Sequence, residues 1–127
     1  MFCQFNAVSK RTLVQYQQVQ ILLVQLQNEL RDLQLWQSQA PSAEALQSTQ
    51  PFAVDTLAFH QWLQFIMIPR MENLVQARRP LPTSMAVSPM AVQVYSGQLK
   101  RHRMLINCLR ELDQAVTGQD PLQPDQA

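Results

Sequence analysis

The chain has 127 residues, enough for one domain around a single modest core. Its formal net charge is +1 and only 15% of its residues are charged, so the whole-molecule field makes no case for binding nucleic acid or an anionic membrane. Gln carries the polar surface instead, at roughly one residue in six.

The longest apolar runs, Ile21–Val24 and Phe65–Pro69, fall far short of the roughly 20 residues a membrane-spanning helix needs. No basic stretch followed by an apolar run opens the chain, and Cys3 and Cys108 form neither a CxxC pair nor a disulfide framework. These features predict a cytoplasmic protein with reduced thiols and no membrane partner. Residues 1–9 (MFCQFNAVS) read as a flexible arm, with Phe2 or Phe5 tucked onto the body. Helical periodicity runs from Lys10 to about Gln37, where Tyr16, Val19, Leu23, Leu26, Leu30 and Leu33 alternate spacings of three and four on one stripe. Ile21, Leu22 and Val24 lie beside it and predict burial on more than one side. The rival use of the same pattern is a coiled-coil dimer seam, hence a homo-oligomer.

Residues 38–50 (SQAPSAEALQSTQ) read as a connector around Pro41. Gln50-Pro51 forces an extended approach, and Asp55 or Thr56 offers an N-cap oxygen. A second helix is expected from about Leu57 to Ile68. Phe59, Trp62, Leu63, Phe65 and Ile66 make its broad apolar face, with His60, Gln61 and Gln64 in a polar strip opposite. Beyond Pro69 this phase fails: Met71, Leu74 and Val75 leave the face while Arg70 stays on it. A kink or fresh start at Pro69 restores the pattern. Residues 78–88 (RRPLPTSMAVS) read as a Pro-rich loop, and Ser88-Pro89 as an N-cap with Pro at the first helical position. A short helix to Tyr95 is stopped at Ser96-Gly97. The last helix, from about Gln98 to Thr117, carries Leu105, Leu109, Leu112 and Val116 on one stripe, with Gly118 as its stop. The division expected is an arm over 1–9, an all-α domain over 10–118 and a disordered tail over 119–127.

The residues that carry chemistry are sparse. Gly97 and Gly118 both read as helix stops, so no Gly-rich phosphate cradle exists. His60 and His102 have no Cys, Asp or Glu at metal-ligand spacing, and no nucleophile motif surrounds any Ser or Thr. No catalytic residue, metal or cofactor is expected. Arg70 continues the row Trp62–Ile66–Arg70, which puts a permanent charge beside an aromatic face. Its structural role would be to pair with Asp55 or Glu72, or to bond carbonyls freed by Pro69; its functional role would be to anchor an anion. Lys100, Arg101 and Arg103, joined by Arg110 and Arg78-Arg79, form the one candidate basic patch, which reads first as a solvated face. Basic residues open both long helices and acidic ones close them, against the helix dipole, and antiparallel packing would offset that.

STQPF (48–52), the DT at 55–56, QWLQF (61–65), IPRM (68–71), the PLP at 80–82 and the AV-P at 86–89 occur in this order. Together they resemble the YqcC-like family, small bacterial proteins of unknown function, over roughly residues 11–117. The resemblance implies a compact four-helix bundle, a cytosolic location and genes often placed beside a tRNA pseudouridine synthase of the C type. It carries no catalytic residues over, and the chain departs from the family pattern in its first ten residues and its Gln-rich first helix. The function expected is a non-enzymatic interaction module. Its groove is framed by Phe52, Asp55, Trp62, Arg70, Arg79, Pro80 and Pro82 and receives a protein partner or small ligand. The alternative is an accessory to an RNA-modification enzyme, touching RNA through Lys100, Arg101 and Arg103.

Overall fold

An apolar stripe with alternating spacings of three and four needs a long helix to use it. The computed structural model, which describes residues 10–122, provides one in α1, Lys10–Asp32. There follow α2 (Ala43–Leu46), a 3-10 turn (Pro51–Ala53), α3 (Phe59–Trp62), a π-helical stretch (Leu63–Met67), α4 (Ile68–Gln76), α5 (Ser88–Val94) and α6 (Arg103–Thr117). No strand occurs among the described residues, so the domain is all-α as expected. The expected arm, with Phe2, Cys3 and Phe5, lies outside the described residues, as does most of the expected tail. Of that tail, Asp120 accepts from Arg110 Nε at 2.7 Å and Leu122 packs on the core.

Helix α1 buries Tyr16, Val19, Leu22, Leu23, Leu26 and Leu30, and leaves Leu33 half-buried beyond its end. Ile21 and Val24, expected to widen the buried face, are 55% and 56% exposed. They point off the stripe and border a depression between α1 and α4 rather than the core. Helix α6 runs antiparallel to α1. Gln15 Nε2 donates to the carbonyls of Ala115 and Val116 (3.0 Å each), while the Cys108 thiol donates to Leu22 O at 3.5 Å. Leu105, Leu109, Leu112 and Val116 meet the α1 stripe across this seam. Removing these side chains from water is the main stabilising contribution, roughly 1.5–3 kcal/mol for each large residue fully buried. The opposed helix-end charges do not pair across the seam; the ion pair among the described residues is Arg110–Asp120.

The chain is helical straight through Pro69, where a kink or fresh start was expected, and the π-helical stretch precedes it. The buried row Phe59, Leu63, Met67, Met71 and Val75 recurs every four residues. In a regular α-helix each such step drifts about 40°, so four steps would carry the row about 160° off its starting face. The wider turn, in which the Ile68 N–H bonds Leu63 O, takes up an extra residue and returns the row to the core. Pro69 follows directly on the wider turn, as the second residue of α4.

The polar side of this helical run also differs from the expectation. Gln64 is buried, with Oε1 accepting from Gln37 N (2.9 Å) and Nε2 donating to Gln37 O (2.7 Å); Gln61 Nε2 adds a bond to Gln37 Oε1 at 3.2 Å. Two glutamines thus pin the connector that follows α1. Neither Asp55 nor Thr56 caps α3. Ala58 is the N-cap, and its N–H donates to Gln61 Oε1 at 2.8 Å.

At α5 the expected Ser88 cap is replaced by a distant carboxylate. Asp113 of α6, fully buried, accepts from the N–H groups of Val87 and Ser88 (3.0 and 2.9 Å) and from the Ser88 hydroxyl (2.7 Å). Gly97 and Gly118 sit at φ +86° and +83°, the left-handed geometry a helix stop requires. The last helix begins at Arg103, not at Gln98, because residues 99–102 form a turn.

Candidate functional site

The stretch from Ser48 to Thr56 is fastened by its own polar side chains. Ser48 Oγ donates to Asp55 Oδ1 at 2.5 Å and accepts from Gln50 N–H at 3.1 Å, and Thr56 Oγ1 donates to Ala45 O at 2.7 Å. Gln50 takes the extended conformation expected before Pro51 (φ −77°, ψ 149°). The next two residues are both left-handed without being glycine: Phe52 at φ +57° and Ala53 at φ +48°. Each such residue costs about 1–2 kcal/mol, so the surrounding contacts must hold the turn in place. They do so through Phe52, whose ring meets Trp62 edge-on at 4.8 Å and Phe59 at 6.3 Å.

This strained turn is one wall of an open cavity of about 560 Å³. Ser48, Thr49 and Gln50 line its rim, Phe52, Trp62, Phe65 and Ile66 its apolar side, and Arg70 its far end. The sequence-predicted trio of Phe52, Trp62 and Arg70 is therefore brought together. The face read as core is divided in two. Phe59 and Leu63 point inward, while Trp62, Phe65 and Ile66 are half-buried and turned to the cavity. Arg70 pairs with neither Asp55 nor Glu72, and makes no hydrogen bond or ion pair with any described residue. Asp55 lies behind Ser48, outside the lining. The lining residues the sequence left out of the site include Ser48, Thr49, Gln50, Phe65 and Ile66, and all but Ile66 already stood inside the motifs STQPF and QWLQF.

Arg79, Pro80 and Pro82 do not join this cavity. Pro80, Leu81 and Pro82 instead line a second depression of about 570 Å³ with Arg78, Tyr16 and Val116, between the start of α1 and the end of α6. The Arg79 carbonyl accepts from the Tyr16 hydroxyl at 2.7 Å, which fixes the loop to α1. The residues expected to frame one groove are thus divided, Phe52, Trp62 and Arg70 lining one depression and Pro80 and Pro82 another. A third depression, about 470 Å³, lies between α1 and α4 beside Ile21, Val24 and Glu72. The signal for it was the off-stripe apolar pair Ile21 and Val24.

Lys100 and Arg101 are exposed on the turn before α6 and Arg103 is its first residue; Lys100 and Arg103, with Leu99 and Ile106, border a depression of about 320 Å³, and Arg101 lies outside its lining. Arg110 leaves the expected patch by pairing with Asp120. Arg78 lines the depression at the opposite end of α6, about 20 Å away by helix length. Behind the patch, the buried His102 ring stacks on Tyr95 at 3.9 Å, and its Nδ1 bonds Gln98 O at 2.9 Å. Burial pushes the Tyr95 hydroxyl up to about 12, and that hydroxyl has no partner among the described residues. His60 is part-buried with Nδ1 unpartnered, and burial lowers its pKa from 6.5 against the opposing pull of the Leu35 carbonyl. Cys108 is pushed up to about 12 by burial and by Glu111 and Glu29, so its thiolate is suppressed. No group of three or more potential metal ligands occurs among the described residues.

Residues 18–115 match the model of a family described as tRNA pseudouridine synthase C. Among curated relatives, the chain is 33% identical over 98 residues to the uncharacterized protein YqcC of Escherichia coli, covering 77% of this chain and 90% of that one. It is 45% identical over 67 residues to an uncharacterized protein of Haemophilus influenzae, covering 53% of this chain and 63% of that one. It is also 35% identical over 86 residues to a tRNA pseudouridine synthase C of Pectobacterium carotovorum, where the match spans 68% of this chain but 23% of the relative. Among solved structures, the solution NMR structure of Escherichia coli YqcC superimposes with a TM-score of 0.74 at 29% identity, covering 89% of this chain and 96% of that one.

Proposed function

The chain belongs to the YqcC-like family, and from that premise we propose that it is a non-enzymatic binding module whose pocket of Phe52, Trp62 and Arg70 receives a protein segment or small ligand. In this reading α1, the α3–α4 run, α5 and α6 are the four helices of one cytoplasmic bundle that presents the pocket. The observation that carries it is an arginine without an internal partner, placed at the end of an aromatic wall whose opposite side is a backbone turn held in a strained conformation. Strain of this kind persists only where the fold over-determines it, and it clusters at ligand clamps. Arg70 is exposed and outside the core, so Arg70→Ala should change the unfolding free energy by no more than a surface substitution does, about ±0.5 kcal/mol. The same change should abolish capture of the partner from a lysate of the source cell, as should Trp62→Ala. Capture that persists in both variants sinks the proposal.

A different observation favours a second reading. The matched region makes up about a quarter of a longer relative named tRNA pseudouridine synthase C. As an accessory to such an enzyme, this domain would meet RNA with Lys100, Arg101 and Arg103. Binding to tRNA should then fall steeply with salt, and each cation removed should lower the slope of log K against log salt by about one. No binding at low salt disposes of this reading.

A further inference from the structure

The pocket of Phe52, Trp62 and Arg70 has a charge balance that narrows its ligand. Resting on the reading of that pocket as a binding site, we propose that it selects a small aromatic carboxylate, with the carboxylate on Arg70 and the ring against Trp62 and Phe52.

Arg70 is the one charged side chain in the lining, which contains neither a carboxylate nor a second cation. A guanidinium with no internal partner offers a planar fork of N–H donors that matches the two oxygens of a carboxylate. A phosphate monoester carries about −1.5 to −2 charges at neutral pH, more than a single arginine neutralises. It would also meet the field of Asp55, held 2.5 Å behind the Ser48 hydroxyl. A singly charged group is matched by one arginine and feels that field about half as strongly. The Thr49 hydroxyl, on the rim and free of described partners, provides a further donor for its oxygens. Phe52 and Trp62 stand edge to face at 4.8 Å, both half-buried, so part of each ring remains open to an offset-stacked aromatic group. The volume, about 560 Å³, lies within the range of small-molecule sites.

The test is a chemical-shift titration of the nitrogen-15-labelled 127-residue chain with 2-naphthoate, neutral 2-naphthamide and inorganic phosphate. Naphthoate should move the Trp62 indole N–H and the Thr49 and Gln50 amides to saturation. Naphthamide should bind at least about tenfold more weakly, the expected effect of losing one charge-assisted pair, and phosphate should leave these signals in place. Arg70→Gln, with an unchanged melting curve, should reduce naphthoate to the affinity of naphthamide. Equal affinity for the two ring compounds in the wild type overturns the carboxylate selection and leaves the pocket standing. Phosphate saturating the same signals, or naphthoate binding surviving Arg70→Gln, also overturns it. If no probe perturbs the pocket, the inference falls, while capture dependent on Arg70 and Trp62 still decides the parent reading.

Discussion

Asp113 has no solvent-exposed surface, yet it carries the attachment of one helix to another. Burial pushes its carboxyl above the usual carboxylate range, against the pull of the Ser88 and Val87 donors, with Asp120 adding to the rise. By its sign, this shift contributes stability that is complete below about pH 3.8 and is lost as the pH rises through the raised value. In its ionised form the group is held by those hydrogen bonds against the cost of burying it. Asp113→Ala would orphan the two N–H groups at the start of α5, and urea unfolding should show a loss of about 2 kcal/mol. Asp113→Asn, which keeps an acceptor oxygen, should lose less. His60 works in the opposite sense. Its lowered pKa gives stability that is present above about pH 6.5 and lost as the pH falls below it. Melting curves should show the wild type weakening as the pH falls below about 6.5, and His60→Gln flattening that decline.

At the scale of elements, α1 tests how apolar residues are shared between core and surface. Ile21→Gln, on the open side, should change stability by no more than about 0.5 kcal/mol. Leu22→Gln, one residue on and buried, should cost about 3 kcal/mol, because an amide would enter the core without a partner. Equal effects in denaturant titrations would contradict the faces assigned here. The same helix marks what the residues alone could reveal. Periodicity identified the stripe from Tyr16 to Leu30, because a run of threes and fours has one solution on a helix. It could not say whether a neighbour covers Ile21 and Val24, since that depends on where α6 and α4 lie. The break of phase after Ile66 was also readable, but its repair was not. A proline and an extra residue in the turn produce the same phase slip in sequence, and the choice rests on backbone hydrogen bonding. Caps were the least legible. Asp55, Thr56 and Ser88 are all good capping residues, yet a glutamine within α3 and a carboxylate some 25 positions away do the work.

For the whole molecule, one cluster of buried side chains draws on α1, the α3–α4 run, α5 and α6, so no helix has a core of its own. Unfolding followed by backbone and by aromatic circular dichroism should therefore give coincident curves. Two separate transitions would show the aromatic group around Phe59 and Tyr95 to be an independent unit. The candidate site was partly legible at this scale. Phe52, Trp62 and Arg70 meet because their motifs flank a single loop and helix. Arg79, Pro80 and Pro82 were assigned to the same groove by proximity in sequence, but none of them lines that cavity, and Pro80 and Pro82 line another beyond α4.

The α1–α6 seam has a consequence during synthesis. Gln15 finds its carbonyls a hundred positions later in the chain. At about 5–20 residues per second, α1 leaves the ribosome several seconds before the helix that covers it is made. For that interval the leucine stripe of a nascent chain stands open, and this is when the protein is most in need of a chaperone.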